Sequence, residues 1–146
     1  MSSQWYLSGI KAVLNGTTDL TSDTIKVAVL TSSYTADFDA HDFYDDISAN
    51  EIANSGGYAA GGATLASKTF NIDTTNDRVW FDAADISSWT TVTAADYRYL
   101  CVYKSTGTPG TSPLLFLMDL GATQSIAGGT LGVTWSATAG LGGFSA

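Results

Sequence analysis

Two long apolar segments joined by a polar connection occupy the stretch from Tyr97 to Leu120. In the first segment apolar residues stand at both odd and even positions, as Cys101 and Val102 illustrate. The second segment, Leu114–Leu120, is apolar almost to its end. Strands with apolar residues on both faces lie inside sheets that are covered on both sides. The pattern therefore predicts two central strands, separated by the connection Ser105–Pro113, which contains both prolines of the chain.

Two further elements are predicted near the start of the chain. Tyr6–Leu14 is predicted to be a short amphipathic helix, with an edge strand as the alternative because Gly9 weakens a helix. Its apolar residues at helical spacing are Leu7, Ile10, Val13 and Leu14. Thr24–Thr31 (TIKVAVLT) alternates and is rich in β-branched residues, which predicts a strand.

A hairpin and a late strand follow from the same alternation. We predict a hairpin that pairs Thr64–Asp73 with Arg78–Ala83. Leu65 is out of phase with Phe70 in the alternation, and one bulge between them would bring both side chains to the same face. Thr130–Ala137 (TLGVTWSA) alternates strictly and is predicted to be a strand. Its inward residues are expected to be Leu131, Val133 and Trp135.

The segment Ser32–Gly57 breaks the strand pattern and is predicted to be a long excursion from the sheet. One helical turn is expected at His41–Asp46, because a carboxylate near the first turn accepts otherwise unpaired N–H groups. The excursion is too rich in apolar residues for a disordered linker. It either packs over the sheet or meets a partner.

These elements together predict an all-β fold, an antiparallel β-sandwich or flattened barrel of about seven or eight strands with one or two short helical turns. Residues 1–146 form one predicted domain, with residues 1–6 and 138–146 as candidate flexible arms. No internal repeat or linker divides the chain.

Composition narrows the range of functions. Six Lys and Arg residues against 14 Asp and Glu residues give a net charge of −8, which argues against nucleic acid as a partner. No basic segment followed by an apolar one opens the chain and no apolar run reaches about 18 residues, so we expect neither an export signal nor a membrane partner. Cys101 is the only cysteine and is expected to be a small buried hydrophobe.

The residues able to do chemistry do not form a recognisable catalytic set. His41 is the only histidine, and no Gly-x-Ser-x-Gly elbow accompanies it. The aspartates around His41 do not have the spacing of a calcium-binding EF-hand, and solvated carboxylates at a helix start are the simpler interpretation. We therefore predict no catalytic residue, no metal and no cofactor.

Two alternatives use the tryptophans. Trp80 and Trp89 would form a carbohydrate-binding face if their rings are exposed, which would suit a tail or head-fibre component that adheres to host-surface glycans. Asp82 and Asp85 beside them would allow a small glycoside-active enzyme, which needs two opposed carboxylates. The competing interpretation places both tryptophans in the core or at the rim of a sheet.

Several segments also resemble, in succession, small proteins encoded among the virion structural genes of tailed bacteriophages. They are SGIKAVLNGTTDLTSDTIKVAVLTSSY, HDFYDDI, GYAAGGATL, YLCVYKSTGTPGTSPLL and DLGATQSIAGGTLGVTW. The resemblance runs roughly from Leu7 to Trp135. It implies a capsid decoration (cement) protein or another accessory virion protein, and it carries no catalytic residues to transfer.

The function expected from this resemblance is a non-enzymatic structural protein on the outer surface of a phage capsid, made in the host cytoplasm. Its expected partners are the phage major capsid protein and other copies of this chain, as a homotrimer, because local symmetry at capsid junctions favours trimers and avidity. The predicted contacts are apolar residues of the two ends and of the excursion: Trp5, Tyr6, Leu7, Tyr34, Phe38, Phe43, Tyr44, Leu141 and Phe144.

Overall fold

The computed structural model of the chain describes residues 2–136 and 141–145. The helices are α1 (Leu7–Leu14) and the single turn α2 (Asp45–Ser48), with a short 3-10 turn at Pro109–Thr111. The strands are, in chain order, β1 (Ser2–Trp5), β2 (Ile25–Leu30), β3 (Ala63–Thr64), β4 (Thr69–Asp73), β5 (Arg78–Asp82), β6 (Val92–Lys104), β7 (Leu114–Gly129) and β8 (Gly142–Ser145).

Within the described residues the eight strands form two antiparallel sheets. The large sheet has the order β1-β7-β6-β2-β3 and the small sheet the order β4-β5-β8. The two strands predicted to be central, β6 and β7, are the middle and the second strand of the large sheet. The predicted all-β, sandwich-like fold with few helical turns is confirmed.

The large sheet is covered on both faces, as its apolar pattern predicts. Leu100 and Val102 of β6 belong to a cluster that also contains Phe81 of the small sheet, which we call the inter-sheet core. Cys101 and Tyr103 point the other way, into a second cluster, which we call the outer core. Because neighbouring side chains of a strand point to opposite faces, one strand supplies both cores.

The pairing of β6 with β7 contains several register shifts, and one of them, a bulge in β7, changes this alternation in the cores. Tyr103 pairs with Leu114 and Val102 with Phe116, so Leu115 is an extra residue on β7. Leu115 and Phe116 therefore both lie in the inter-sheet core.

Helix α1 packs on β7 through its small residues. Gly9 and Ala12 are buried, whereas Leu7 and Leu14 are exposed and Val13 packs in part against the inter-sheet core. A Cβ at Gly9 would lie 2.6 Å from the carbonyl oxygens of Leu114 and Leu115, so the helix approaches the strand too closely for a larger residue. The helix is confirmed, but its buried residues are Gly9 and Ala12, and none of the four apolar residues at helical spacing is fully buried.

The excursion after β2 packs over the large sheet. Tyr34 and Ile47 lie in the outer core, and the Ile52 N–H donates to the Val29 carbonyl oxygen at 3.0 Å. The helical turn begins at Asp45, later than predicted from the sequence.

The predicted hairpin is confirmed, but its bulge is not. Phe70 pairs with Phe81 and Ile72 with Val79, as the alternation requires. The change of phase between Leu65 and Phe70 arises because the chain leaves β3, on the large sheet, before it enters β4, on the small one.

The structure also shows the late segment Thr130–Ala137 up to residue 136 and most of both chain ends. Leu131, Val133 and Trp135 are buried as predicted, but the described part of the predicted strand Thr130–Ala137 contains only isolated bridges, one of them between Val133 and Ile86. The proposed arms form strands where the structure describes them: β1 pairs with β7, and β8 pairs with β5. Residues 1, 138–140 and 146 of these arms lie outside the described residues.

The substitution Gly9→Ala tests the contact between α1 and β7. Alanine normally stabilises a helix relative to glycine, but here its Cβ would collide with backbone, so we expect the free energy of unfolding to fall by about 1–3 kcal/mol. Urea denaturation measures the change. Gly132→Ala is the control, since its nearest neighbour, the Ile86 carbonyl oxygen, is 3.8 Å away. Equal effects of the two substitutions would contradict the contact.

Candidate partner-binding surface and polar pocket

The outer side of α1 presents an apolar stripe to solvent. Leu7 is 56% and Leu14 80% exposed, and Lys11 stands between them, one helical turn from each. Ile10 lies beside them and is partly exposed. We call Leu7, Ile10, Lys11 and Leu14 the α1 stripe. Large apolar side chains exposed next to one another are typical of a contact surface.

A pocket of about 350 Å³ lies on the flank of the same helix. Its walls come from α1, the loop that follows it, the start of the acidic segment and the two ends of the β6–β7 connection. The lining residues are Ser8, Lys11, Ala12, Asn15, Thr17, Thr18, Asp42, Phe43, Lys104, Thr106, Thr111 and Pro113. The volume is at the lower end of the range of small-molecule sites.

Lys104 holds one wall of the pocket in place. Its Nζ donates to Asp23 Oδ2 at 2.8 Å and to the Thr17 carbonyl oxygen at 2.7 Å, which joins the loop after α1 to the end of β6. The hydrogen bond from Lys104 is the main cause that lowers the pKa of Asp23.

Two hydroxyl groups at the pocket have no hydrogen-bond partner among the described residues. They are Ser8 Oγ and Thr18 Oγ1, both buried, and Thr18 as a residue is only 3% exposed. Buried polar groups are nearly always paired, so these two hydroxyls are exceptions, and neither has appreciable surface that water can reach.

The carboxyl group of Asp42 also lines the pocket. Burial, and then the neighbouring Asp46, raise its pKa. Asp46 in turn accepts the N–H groups of Asp42 and Phe43, at 2.9 and 3.1 Å, and its pKa is lowered. These carboxylates thus cap a turn, and the described residues contain no group of His, Cys, Asp and Glu arranged to hold a metal ion.

A tyrosine cluster centred on Glu51 fixes the excursion to the sheet. Tyr44 and Tyr58 each donate a hydroxyl proton to one Glu51 oxygen, and the Gly61 N–H donates to Oε1 at 2.8 Å. Tyr44 also stacks on Tyr103 of β6, with ring centroids 4.7 Å apart. Burial raises the pKa of Tyr44 and of Tyr58, so both phenols stay protonated and donate.

His41 lies at the end of a second chain of hydrogen bonds. Its Nδ1 is 2.8 Å from the Tyr34 hydroxyl, which is 2.8 Å from the Tyr6 hydroxyl. Burial raises the pKa of Tyr6 and of Tyr34 well above the ordinary value. The arrangement closes the outer core around Cys101, whose thiol pKa burial also raises.

The residues predicted as partner contacts divide into buried and accessible ones. Tyr6, Tyr34 and Leu141 are core residues of the single chain, so a partner does not reach them on this surface. Trp5, Phe38, Phe43 and Tyr44 are half-buried, and Leu7 is exposed. The Phe144 side chain lies outside what the structure describes. The sequence interpretation did not select Leu14, which shares the helical spacing of Leu7.

The tryptophans proposed for glycan stacking occupy different environments. Trp89 is 2% exposed in the inter-sheet core, where it packs against Tyr58, so it offers no platform for a sugar. Trp80 is half-buried, with the Arg78 guanidinium 5.2 Å from its ring. Asp85 accepts the backbone N–H of Trp135 at 2.9 Å, a structural contact.

Comparisons with known proteins found no family model, no curated protein and no solved structure that matches the chain. Among the residues that the structure describes, no helix has the length and apolarity needed to cross a bilayer.

The substitution Glu51→Gln tests the tyrosine cluster. An amide offers one acceptor oxygen where the carboxylate offers two, so one tyrosine hydroxyl loses its acceptor, and we expect a loss of about 1–3 kcal/mol in the free energy of unfolding. Asp77→Asn, in the exposed turn between β4 and β5, removes the same charge without such contacts and serves as the control. A Glu51→Gln protein as stable as the control in urea would show that the cluster contributes nothing.

The stability of the protein at acid pH tests the ion pair between Lys104 and Asp23. The pKa of Asp23 in the folded protein lies below its ordinary value of 3.8. Its contribution to the free energy of unfolding is therefore present above about pH 4 and is lost as the pH falls through the folded-state pKa. The pair is part-exposed, so the contribution is small. We expect the melting temperature of Asp23→Asn to fall less between pH 5 and pH 2.5 than that of the unchanged protein.

Scanning calorimetry across that range measures this difference. Asp77→Asn again serves as the control and should follow the unchanged protein. Parallel curves for Asp23→Asn and the unchanged protein would rule out a contribution from this ion pair.

Proposed function

We propose that the chain is a structural, non-enzymatic protein of a tailed-phage particle, a decoration or cement protein on the outer surface of the capsid. The α1 stripe is the observation that carries the proposal. It places two exposed leucines, two helical turns apart, on one side of a helix that is anchored by backbone contact. The resemblance of the sequence to accessory virion proteins supports the same role.

The rigidity of the fold suits attachment to a shell. β6 and β7 pair along most of their length, and the large sheet is packed on both faces. Because α1 lies directly on β7 at Gly9, a force that a partner exerts on the α1 stripe is transmitted to the central strands β6 and β7. A protein that clamps neighbouring shell subunits needs this stiffness, since a compliant clamp would not resist their separation.

A homotrimer on the shell is part of the proposal. Closed symmetry lets each copy present the same stripe, and several weak contacts then add by avidity. Light scattering measures the oligomeric state of the purified protein, both when it is produced alone and when it is released from particles. A strictly monomeric protein in both preparations would remove the trimer from the proposal.

The double substitution Leu7→Ser and Leu14→Ser tests the α1 stripe. Both side chains are largely exposed in the free protein, so its melting temperature should change little, whereas shell binding should lose the burial of two leucines. Burying a leucine contributes about 1.5–3 kcal/mol, so we expect affinity for decoration-free capsids to fall at least about tenfold.

Binding is measured by co-sedimentation with purified capsids that lack the protein. Ile72→Ser, which removes an equally exposed apolar side chain from β4 (73% exposed), is the matched control and should keep its affinity. An unchanged chain that never sediments with capsids would refute the function itself. Equal binding by the double variant would refute only the role of the stripe.

A further inference from the structure

Asn15 lies where α1 ends and is followed directly by Gly16. Asn15 is the C-cap residue of the helix, and both residues are exposed. Gly16 has a φ of 75°, and a Cβ built on it would meet no atom within 4 Å, so nothing crowds its peptide group on that side. Asparagine followed by glycine is the sequence most prone to attack by a backbone nitrogen on a side-chain amide, because glycine has no side chain to obstruct the approach.

The carboxamide of Asn15 is held at its oxygen alone. Oδ1 accepts the Thr17 N–H at 3.0 Å and lies 2.8 Å from the Thr17 hydroxyl, which also reaches the Ala12 carbonyl oxygen. Nδ2 makes no hydrogen bond within the described residues. A side chain bonded to the N–H group two residues on is folded back over the peptide between them, which here is that of Gly16. The carbonyl carbon of the side chain therefore lies on the side from which attack comes, and its amino group is free to leave.

The other four asparagines of the chain lack this combination. Each is followed by a residue that carries a side chain, and they are Asn50, Asn54, Asn71 and Asn76. The Nδ2 groups of Asn50 and Asn76 donate hydrogen bonds to neighbouring side chains, so the group that would have to leave is held. Asn71 lies within β4, where its backbone is paired with β5. Asn15 is therefore the most reactive asparagine that the structure contains among the described residues.

We infer that Asn15–Gly16 is a site of spontaneous deamidation. The Gly16 nitrogen loses its proton to hydroxide and forms a bond to Asn15 Cγ, the Cγ–Nδ2 bond breaks, and Nδ2 takes a proton from water and leaves as ammonia. The cyclic imide that results takes up water at either of its carbonyl carbons, which gives aspartate or isoaspartate. Attack requires the Gly16 N–H to leave the Val13 carbonyl oxygen, 3.2 Å away, and fraying of a chain segment at a helix end costs little free energy.

The modification changes the loop that joins α1 to the rest of the molecule. Isoaspartate lengthens the main chain by a methylene group, and both products place a carboxylate at the negative end of the helix dipole. In the same loop the Thr17 carbonyl oxygen accepts a hydrogen bond from Lys104 of β6 at 2.7 Å, and the Thr18 N–H donates to the Ala12 carbonyl oxygen at 2.9 Å. The longer main chain of the isoaspartate form weakens these contacts. The inference does not depend on attachment to a capsid.

The test is incubation of the purified full-length protein in mildly alkaline buffer, followed by peptide mass spectrometry. Conversion at Asn15 should be at least about tenfold faster than at any other asparagine, which corresponds to a barrier lower by about 1.4 kcal/mol. The rate should rise with the hydroxide concentration. Ion exchange should separate a form with one more negative charge, and methylation by an isoaspartyl methyltransferase identifies the isoaspartate within it.

Two variants identify the site and its effect. Asn15→Gln keeps a carboxamide but would have to close a larger ring, so it should stay unmodified through the same incubation. Asn15→Asp, measured freshly purified, carries the charge of the product on a main chain of normal length. The isoaspartate form should melt at a lower temperature than Asn15→Asp, whereas incubated Asn15→Gln should melt like the same variant before incubation.

Asn54 is the internal comparison, because it too is held through Oδ1, by the Ala60 N–H, but is followed by serine. Conversion at Asn15 no faster than at Asn54 would overturn the inference. The same conclusion would follow if the more negative form appeared equally fast in Asn15→Gln, since its source would then lie elsewhere in the chain. An isoaspartate form as stable as Asn15→Asp would overturn the structural consequence and leave the modification as a change of charge only.

Discussion

The antiparallel pairing of β6 with β7 is the interaction on which the other contacts of the molecule depend. β1 and β2 pair with the outer sides of these two strands, α1 lies on β7, and both cores are built on side chains that the pair supplies. Arg98 of β6 and Asp119 of β7 add a bidentate bond between the two strands, with two N···O distances of 2.9 Å. Loss of this pairing would separate the two cores at once.

Covering the second face of a sheet with irregular chain brings polar groups into a buried region. Here tyrosine hydroxyls meet that requirement, because each offers a large apolar ring for packing and one polar atom for pairing. Glu51 serves Tyr44 and Tyr58, and Tyr103 donates to the Gly61 carbonyl oxygen at 2.7 Å. These hydrogen bonds attach the excursion to the large sheet, and the excursion supplies Asp42 and Phe43 to the pocket.

The sequence predicted the strands well because the spacing of apolar residues depends directly on whether one or both faces of a strand are buried. It placed β2, the β4–β5 hairpin and the central pair. It did not separate β3 from β4, since passage from one sheet to another looks like a bulge when only the alternation is read. Trp89 illustrates a further limit: an aromatic residue in a loop carries no sign of whether its ring faces solvent or the core.

The surface features were harder to predict for a different reason. Leu14 is apolar at a helical position, and only the close contact of Gly9 with β7 shows that the opposite side of the helix is the buried one. The pocket joins residues as distant in sequence as Ser8 and Pro113, so it is a property of three-dimensional packing. No periodic pattern encodes either feature.

Cys101 sits fully enclosed in the middle of β6 and carries the only thiol of the chain. A thiol-specific reagent therefore reaches it only when the central strands part, so the rate of chemical labelling reports how often the native protein opens. The labelling rate of Cys101 thus reports local opening of the native protein, in solution or in an assembly, without an engineered cysteine.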